Sequence, residues 1–152
     1  MSNPAEATLP EIKVAPWMRG ILMLGAAYNI LWGFFIYNFP EGYYTWLGAP
    51  GQVPVQTLKI QGAGVLLLAG VLLVAAFGSG KRKWFVVAAF VCKALGPFWI
   101  WYVVAQQTYT RKVLFSILTN DVVWAIVLLA IAVRFFKVHA YEKTLPEDDN
   151  EQ

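Results

Sequence analysis

The sequence predicts an all-α integral membrane protein, a single bundle of four transmembrane helices. Three observations carry that expectation. Of the 152 residues, 59% are hydrophobic and only 14% are charged, whereas a soluble domain carries about a quarter charged residues. The apolar residues fall into four runs of about 20, the length that crosses a hydrocarbon core of roughly 30 Å. Within the runs the polar stripe of a surface helix is missing, as in Val65 to Phe77 (VLLLAGVLLVAAF). This composition excludes a disordered chain, a nucleic-acid module with a basic face and most soluble enzymes. The length allows one domain.

The spans are placed in order by their breakers. Span one runs from about Arg19 to Phe39 and is closed by Pro40. Span two runs from about Leu58 to Phe77 and stops at Gly78-Ser79-Gly80. Span three covers Trp84 to about Val104, and span four Leu114 to Phe136. A tail of residues 1–17 precedes this 18–137 domain, and an acidic tail of residues 138–152 follows it. The N-terminal run is too long for a signal-peptide h-region and ends in Phe39-Pro40-Glu41-Gly42, so it reads as retained. The loop from Pro40 to Thr57 holds Tyr43, Tyr44, Trp46 and Leu47 before a Gly48-Ala49-Pro50-Gly51 turn. It reads as a short helix anchored in the outer headgroup layer, with a lid over a cavity as the alternative.

Orientation follows from the basic residues. The two tails with the span ends next to them and the 78–83 turn carry eight Lys and Arg (Lys13, Arg19, Lys81, Arg82, Lys83, Arg134, Lys137 and Lys143), against Lys59, Arg111 and Lys112 on the other side. Both termini are therefore expected in the cytoplasm. The twelfth basic residue, Lys93, lies within span three.

Polar residues inside the spans are the candidates for function, because a lone charge at mid-bilayer costs about 2.5–3.5 kcal/mol on insertion scales. They are Asn29 in span one, Gln61 in span two, Lys93 in span three, and Asn120 with Asp121 in span four. Counting the rise of ~1.5 Å per residue, Lys93 and Asp121 come within reach of one another. We expect a Lys93–Asp121 pair inside the bundle, with Gln61 and Asn29 completing its hydrogen bonding. Pro97 withholds the donor that would meet the Lys93 carbonyl, which predicts a kink beside the buried cation. Tyr28, Trp32, Trp99, Trp101, Tyr102 and Trp124 are candidate walls of the site. Gly25, Gly33, Gly62, Gly64 and Gly70 read as places of close helix approach, and Cys92 as a small buried filler.

Several chemistries are excluded. The only histidine, His139, lies in the tail, so two histidines cannot grip a haem in the bundle. One cysteine and one buried carboxylate offer neither a disulfide nor a metal site. No phosphate loop or nucleophile elbow is present. No catalytic residue is assigned.

The stretches Tyr28-Asn29-Ile30-Leu31-Trp32-Gly33 with Phe39-Pro40, Lys93-Ala94-Leu95-Gly96-Pro97, and Asn120-Asp121-Val122-Val123-Trp124 occur in that order. In this the chain resembles a group of small bacterial four-helix membrane proteins within the DoxX-like superfamily, over residues 18–136. The resemblance implies a four-helix bundle of the bacterial inner membrane, with Asn29, Lys93, Asn120 and Asp121 at recurrent polar positions. It also implies association with thiosulfate:quinone oxidoreduction or oxidative-stress complexes. No redox centre is visible in the chain, so electron transfer would need a bound quinone or a partner.

The expected function is a partner-dependent membrane subunit that binds a small lipophilic ligand, a quinone or isoprenoid, at Lys93 and Asp121. Membrane lipid, a larger membrane complex or a homodimer are its expected partners. A small proton-coupled transporter and a purely structural scaffold are the alternatives.

Overall fold

The computed structural model describes residues 14–48, 53–77, 82–104 and 110–143. The outermost tails, the Gly78-Ser79-Gly80 stop and most of the Gly48–Gly51 turn lie outside the described residues. Every regular element among those described is helical. Helix α1 spans Pro16–Asn38, α2 Pro40–Leu47, α3 Val55–Ala76 and α4 Lys83–Val104. The last stretch is built from α5 (Arg111–Ile117), a π-helical turn (Leu118–Val122) and α6 (Val123–Glu142).

Proline sets two of the helix starts. Pro16 and Pro40 sit in the first turns of α1 and α2, where the missing amide hydrogen has no partner to lose. Between these helices only Phe39 leaves helical geometry, with φ −126° and ψ 54°. Pro40 thus turns the chain and at once begins a new helix. Gly48 ends α2 in the left-handed region at φ 63°, a conformation that glycine adopts without a Cβ penalty. Helix α4, by contrast, runs on through Pro97 to Val104.

Among the described residues, four stretches are long and apolar enough to cross a membrane: Pro16–Asn38, Val55–Ala76, Lys83–Tyr102 and Arg111–Tyr141. Their outer faces explain why a bilayer is the fitting solvent. Leu31 on α1 is 74% exposed, Leu67 on α3 73%, Phe98 on α4 68% and Ile126 on α6 65%. Such a belt of large exposed apolar side chains on every long helix would be insoluble in water and is matched to acyl chains. The molecule is a multi-pass membrane bundle.

The helices close a ring, α1 on α3, α3 on α4 and α4 on α6, with α6 meeting α1 through Trp124. Its tightest crossing joins α1 and α3. A Cβ on Gly62 would lie 2.6 Å from the Tyr37 backbone nitrogen, and one on Gly33 would lie 3.0 Å from the Gly62 carbonyl. These glycines let two backbones touch. Gly25 makes room for the Trp124 ring in the same way. Gly64 and Gly70, expected to do likewise, face open space instead.

Two apolar cores stack along the bundle. One joins Val14, Met18 and Leu22 of the α1 end to Leu72 and Ala75 of α3, Val86 of α4, and Phe135 and Val138 of α6. The two described chain ends therefore share one end of the molecule. Arg82 donates to the Val74 carbonyl at 3.2 Å there, and Lys83 Nζ lies 4.9 Å from the centre of the Phe136 ring. The second core fills the other end with Ile36, Tyr43, Leu47, Leu58, Ile100 and Val113. Tyr43 and Leu47 are each 1% exposed. Helix α2 turns these side chains inward and caps the bundle. Thr110 fastens it: its hydroxyl donates to the Leu47 carbonyl at 2.7 Å and accepts from the Val113 amide at 3.2 Å.

Candidate functional site

The polar side chains gather between the two cores. Lys93 on α4 and Asn120 and Asp121 on the π turn are all buried. Lys93 Nζ lies 3.7 Å from Asp121 Oδ1, the ion pair that the charges require. The same ammonium donates to Asn120 Oδ1 at 3.2 Å, while Asn120 Nδ2 donates to Asp121 Oδ1 at 3.4 Å. The amide is a relay that binds the cation through its oxygen and the carboxylate through its nitrogen.

Local backbone form explains how two adjacent residues both face inward. On an α-helix neighbours diverge by about 100°, so one of them would point away. Here the Val123 amide reaches back to the Leu118 carbonyl, five residues earlier. The widened turn carries Asn120 and Asp121, both of them buried; such turns are frequent at functional sites. Across the interface Gly96 completes the fit. A Cβ there would lie 2.5 Å from Asp121 Oδ1, so a side chain of any size would displace the carboxylate.

Beside this triad lies a cavity of about 370 Å³ between α3, α4 and the π turn. Lys93, Asn120, Asp121 and Gln61 supply its polar wall, and Val65, Leu68 and Ile100 its apolar one. Ile60, Gly64, Cys92, Leu95 and Trp99 also line it, and all five are exposed on the outer faces of α3 and α4. They form its rim. Gln61 lines the cavity, but its amide donates to the Tyr43 hydroxyl at 3.1 Å and not to the Lys93–Asp121 pair that it was expected to complete. Burial pushes the Tyr43 phenol up to about 12, against the pull of the Gln61 hydrogen bond. It is a neutral hydroxyl at any physiological pH.

Four of the candidate residues are thus brought together: Lys93, Asp121, Asn120 and Gln61. Asn29, Tyr28, Trp32 and Trp124 stand aside. Asn29 is fully buried, but its amide donates to the Gly25 carbonyl of its own helix at 2.7 Å, so it does not complete the Lys93 pair as expected. Tyr28 packs on Trp32 and Trp124, with ring centres 6.4 and 5.8 Å apart, forming an aromatic column outside the cavity lining. Cys92 is exposed, contrary to its reading as a buried filler. One residue along α4 from Lys93, it points about 100° away from it. Of the candidate walls, Trp99 does line the cavity, whereas Gly96 was not singled out as a site residue. The spacing of Gly96, three residues after Lys93 and so on the same helix face, was the available signal.

No protein family, curated protein or solved structure matches this chain.

Proposed function

We propose that this chain is a DoxX-like protein of the bacterial inner membrane that holds a small lipophilic molecule, a quinone or isoprenoid, beside Lys93 and Asp121. It acts as a membrane subunit alongside a catalytic partner, both chain ends facing the cytoplasm. The observation that carries this reading is the position of the cavity. A buried cation, carboxamide and carboxylate, with Gln61 beside them, form the polar wall of a space lined elsewhere mainly by apolar side chains. That is the usual make-up of a small-molecule site, apolar in area with a few convergent polar groups. The motif resemblance around Asn29, Lys93 and Asn120-Asp121 and the basic residues at the shared chain end add support.

Native mass spectrometry of the gently solubilised protein tests the reading. A co-purifying quinone or isoprenoid is expected, and Lys93→Met should abolish its retention while the bundle still assembles. If Lys93→Met alters only the unfolding temperature, the pair is a structural pin and the ligand reading falls. A cytoplasm-dependent reporter fused to the C-terminus should be active; an inactive one would reverse the orientation. The carrier alternative needs a polar way through the bundle. The apolar cores on either side of the triad weigh against it.

A further inference from the structure

The cavity lies between the two apolar cores, touching Leu68 of one and Ile100 of the other, and its rim is on the outer faces of α3 and α4. Toward one end Leu68, Leu72 and Val86 belong to the first core, and toward the other Leu58, Ile100 and Tyr43 belong to the second. Its rim, by contrast, consists of residues on the lipid-facing sides of two spans, with Ile60 56% and Leu95 57% exposed. A molecule reaches the triad from the acyl layer between α3 and α4. About 370 Å³ is at the small end of ligand sites, enough for a head and the first carbons of a chain. The remainder of a long tail lies outside along the rim.

The polar wall specifies the head. Of Asp121's two oxygens, Oδ1 meets both Lys93 and Asn120, whereas Oδ2 is buried and has no hydrogen-bond partner. An ammonium has three donors, and those of Lys93 are directed at two oxygens, Asn120 Oδ1 and Asp121 Oδ1. Lys93 and Asp121 both line the cavity, so the unmatched carboxylate and the cation belong to the same wall. A head that only accepts, such as a ketone or ether, engages Lys93 and leaves Oδ2 unmatched. A hydroxyl does both: it donates to Oδ2 and accepts from Nζ. Leaving a buried acceptor unmatched lowers affinity by about tenfold or more.

We infer that the site takes a neutral, hydroxyl-headed amphiphile drawn sideways from the bilayer, its hydroxyl bridging Lys93 Nζ and Asp121 Oδ2. Both an isoprenoid alcohol and a hydroquinone carry this head chemistry. The inference rests on the ligand-binding reading above and narrows it.

The test uses the full chain in lipid nanodiscs, each loaded at equal mole fraction with farnesol, farnesyl methyl ether, decylhydroquinone or its dimethyl ether. Native mass spectrometry counts the probe retained per chain. Each hydroxyl probe should be retained at least tenfold over its own ether, and the better retained alcohol identifies the source. In Asp121→Asn this preference should collapse, because a carboxamide places a donor where the second carboxylate oxygen stood. Gly64→Trp should block the rim and abolish retention with the unfolding midpoint unchanged, since a Cβ on Gly64 meets nothing within 4 Å. Equal retention of alcohols and ethers would overturn the hydroxyl preference while leaving the cavity occupied. Undiminished retention by Gly64→Trp would overturn sideways access. If none of the four probes is retained, the inference and the ligand-binding reading fall together.

Discussion

At the scale of single residues, Lys93 is the most constrained. Replacing it by methionine keeps the apolar stem but leaves Asp121 buried without its cation. We expect Lys93→Met to destabilise the bundle by about 3–5 kcal/mol, and adding Asp121→Leu to restore much of that loss. Thermal unfolding of the four-member cycle in one detergent measures the coupling. Gly96→Ala should mimic part of the defect by about 1–3 kcal/mol, because its methyl group would occupy the space of the carboxylate. A Gly96→Ala protein as stable as the parent would show that Asp121 has room to move. The ion pair was legible in the sequence, since two opposite charges in one hydrocarbon layer must find each other. The fate of Asn29 was not. A buried amide can meet its own helix as readily as a neighbour, and height along the axis says nothing about azimuth.

Elements show a different balance of what composition reveals. The four spans followed from length and hydropathy, and their breaks at proline and glycine fell within a few residues of the observed ends. The last span starts earlier than its hydropathy predicts, at Arg111, since Thr110 caps a helix that includes the charged Arg111 and Lys112. The π turn had no sequence signal, since LTNDV carries neither glycine nor proline. Small residues in apolar runs were read as uniformly close-packed, yet only some of them are. Gly62→Ala should drive α1 from α3 and destabilise by about 1–3 kcal/mol, since the new methyl would meet the Tyr37 backbone. Gly70→Ala should be neutral or stabilising by about 0.5–1 kcal/mol, as helix propensity alone predicts at an open position. Parallel unfolding curves distinguish a packing glycine from a merely permissive one.

The whole molecule is layered, apolar core, polar triad, apolar core, with Tyr43 and Gln61 joining the triad's cavity to the capping helix. This layering follows from the energetics of the solvent. A charged pair is tolerable only where the bundle supplies both partners and keeps acyl chains away. The class of fold and the existence of the triad were visible from the sequence. The cavity and its sideways mouth were not, because they depend on the azimuth at which α3 and α4 face each other.

The placement of the two charges on successive spans also bears on how the chain enters the bilayer during synthesis. While the nascent chain ends before Asp121, Lys93 has no counter-charge, and the segment around it is a poor candidate for leaving the translocon alone. The last two spans should therefore partition into lipid together, as a hairpin. A chain truncated at residue 110 should integrate its third hydrophobic segment incompletely in a glycosylation-mapping assay. Lys93→Leu should restore integration of the truncated chain, whereas in the full-length chain the lysine should be no obstacle.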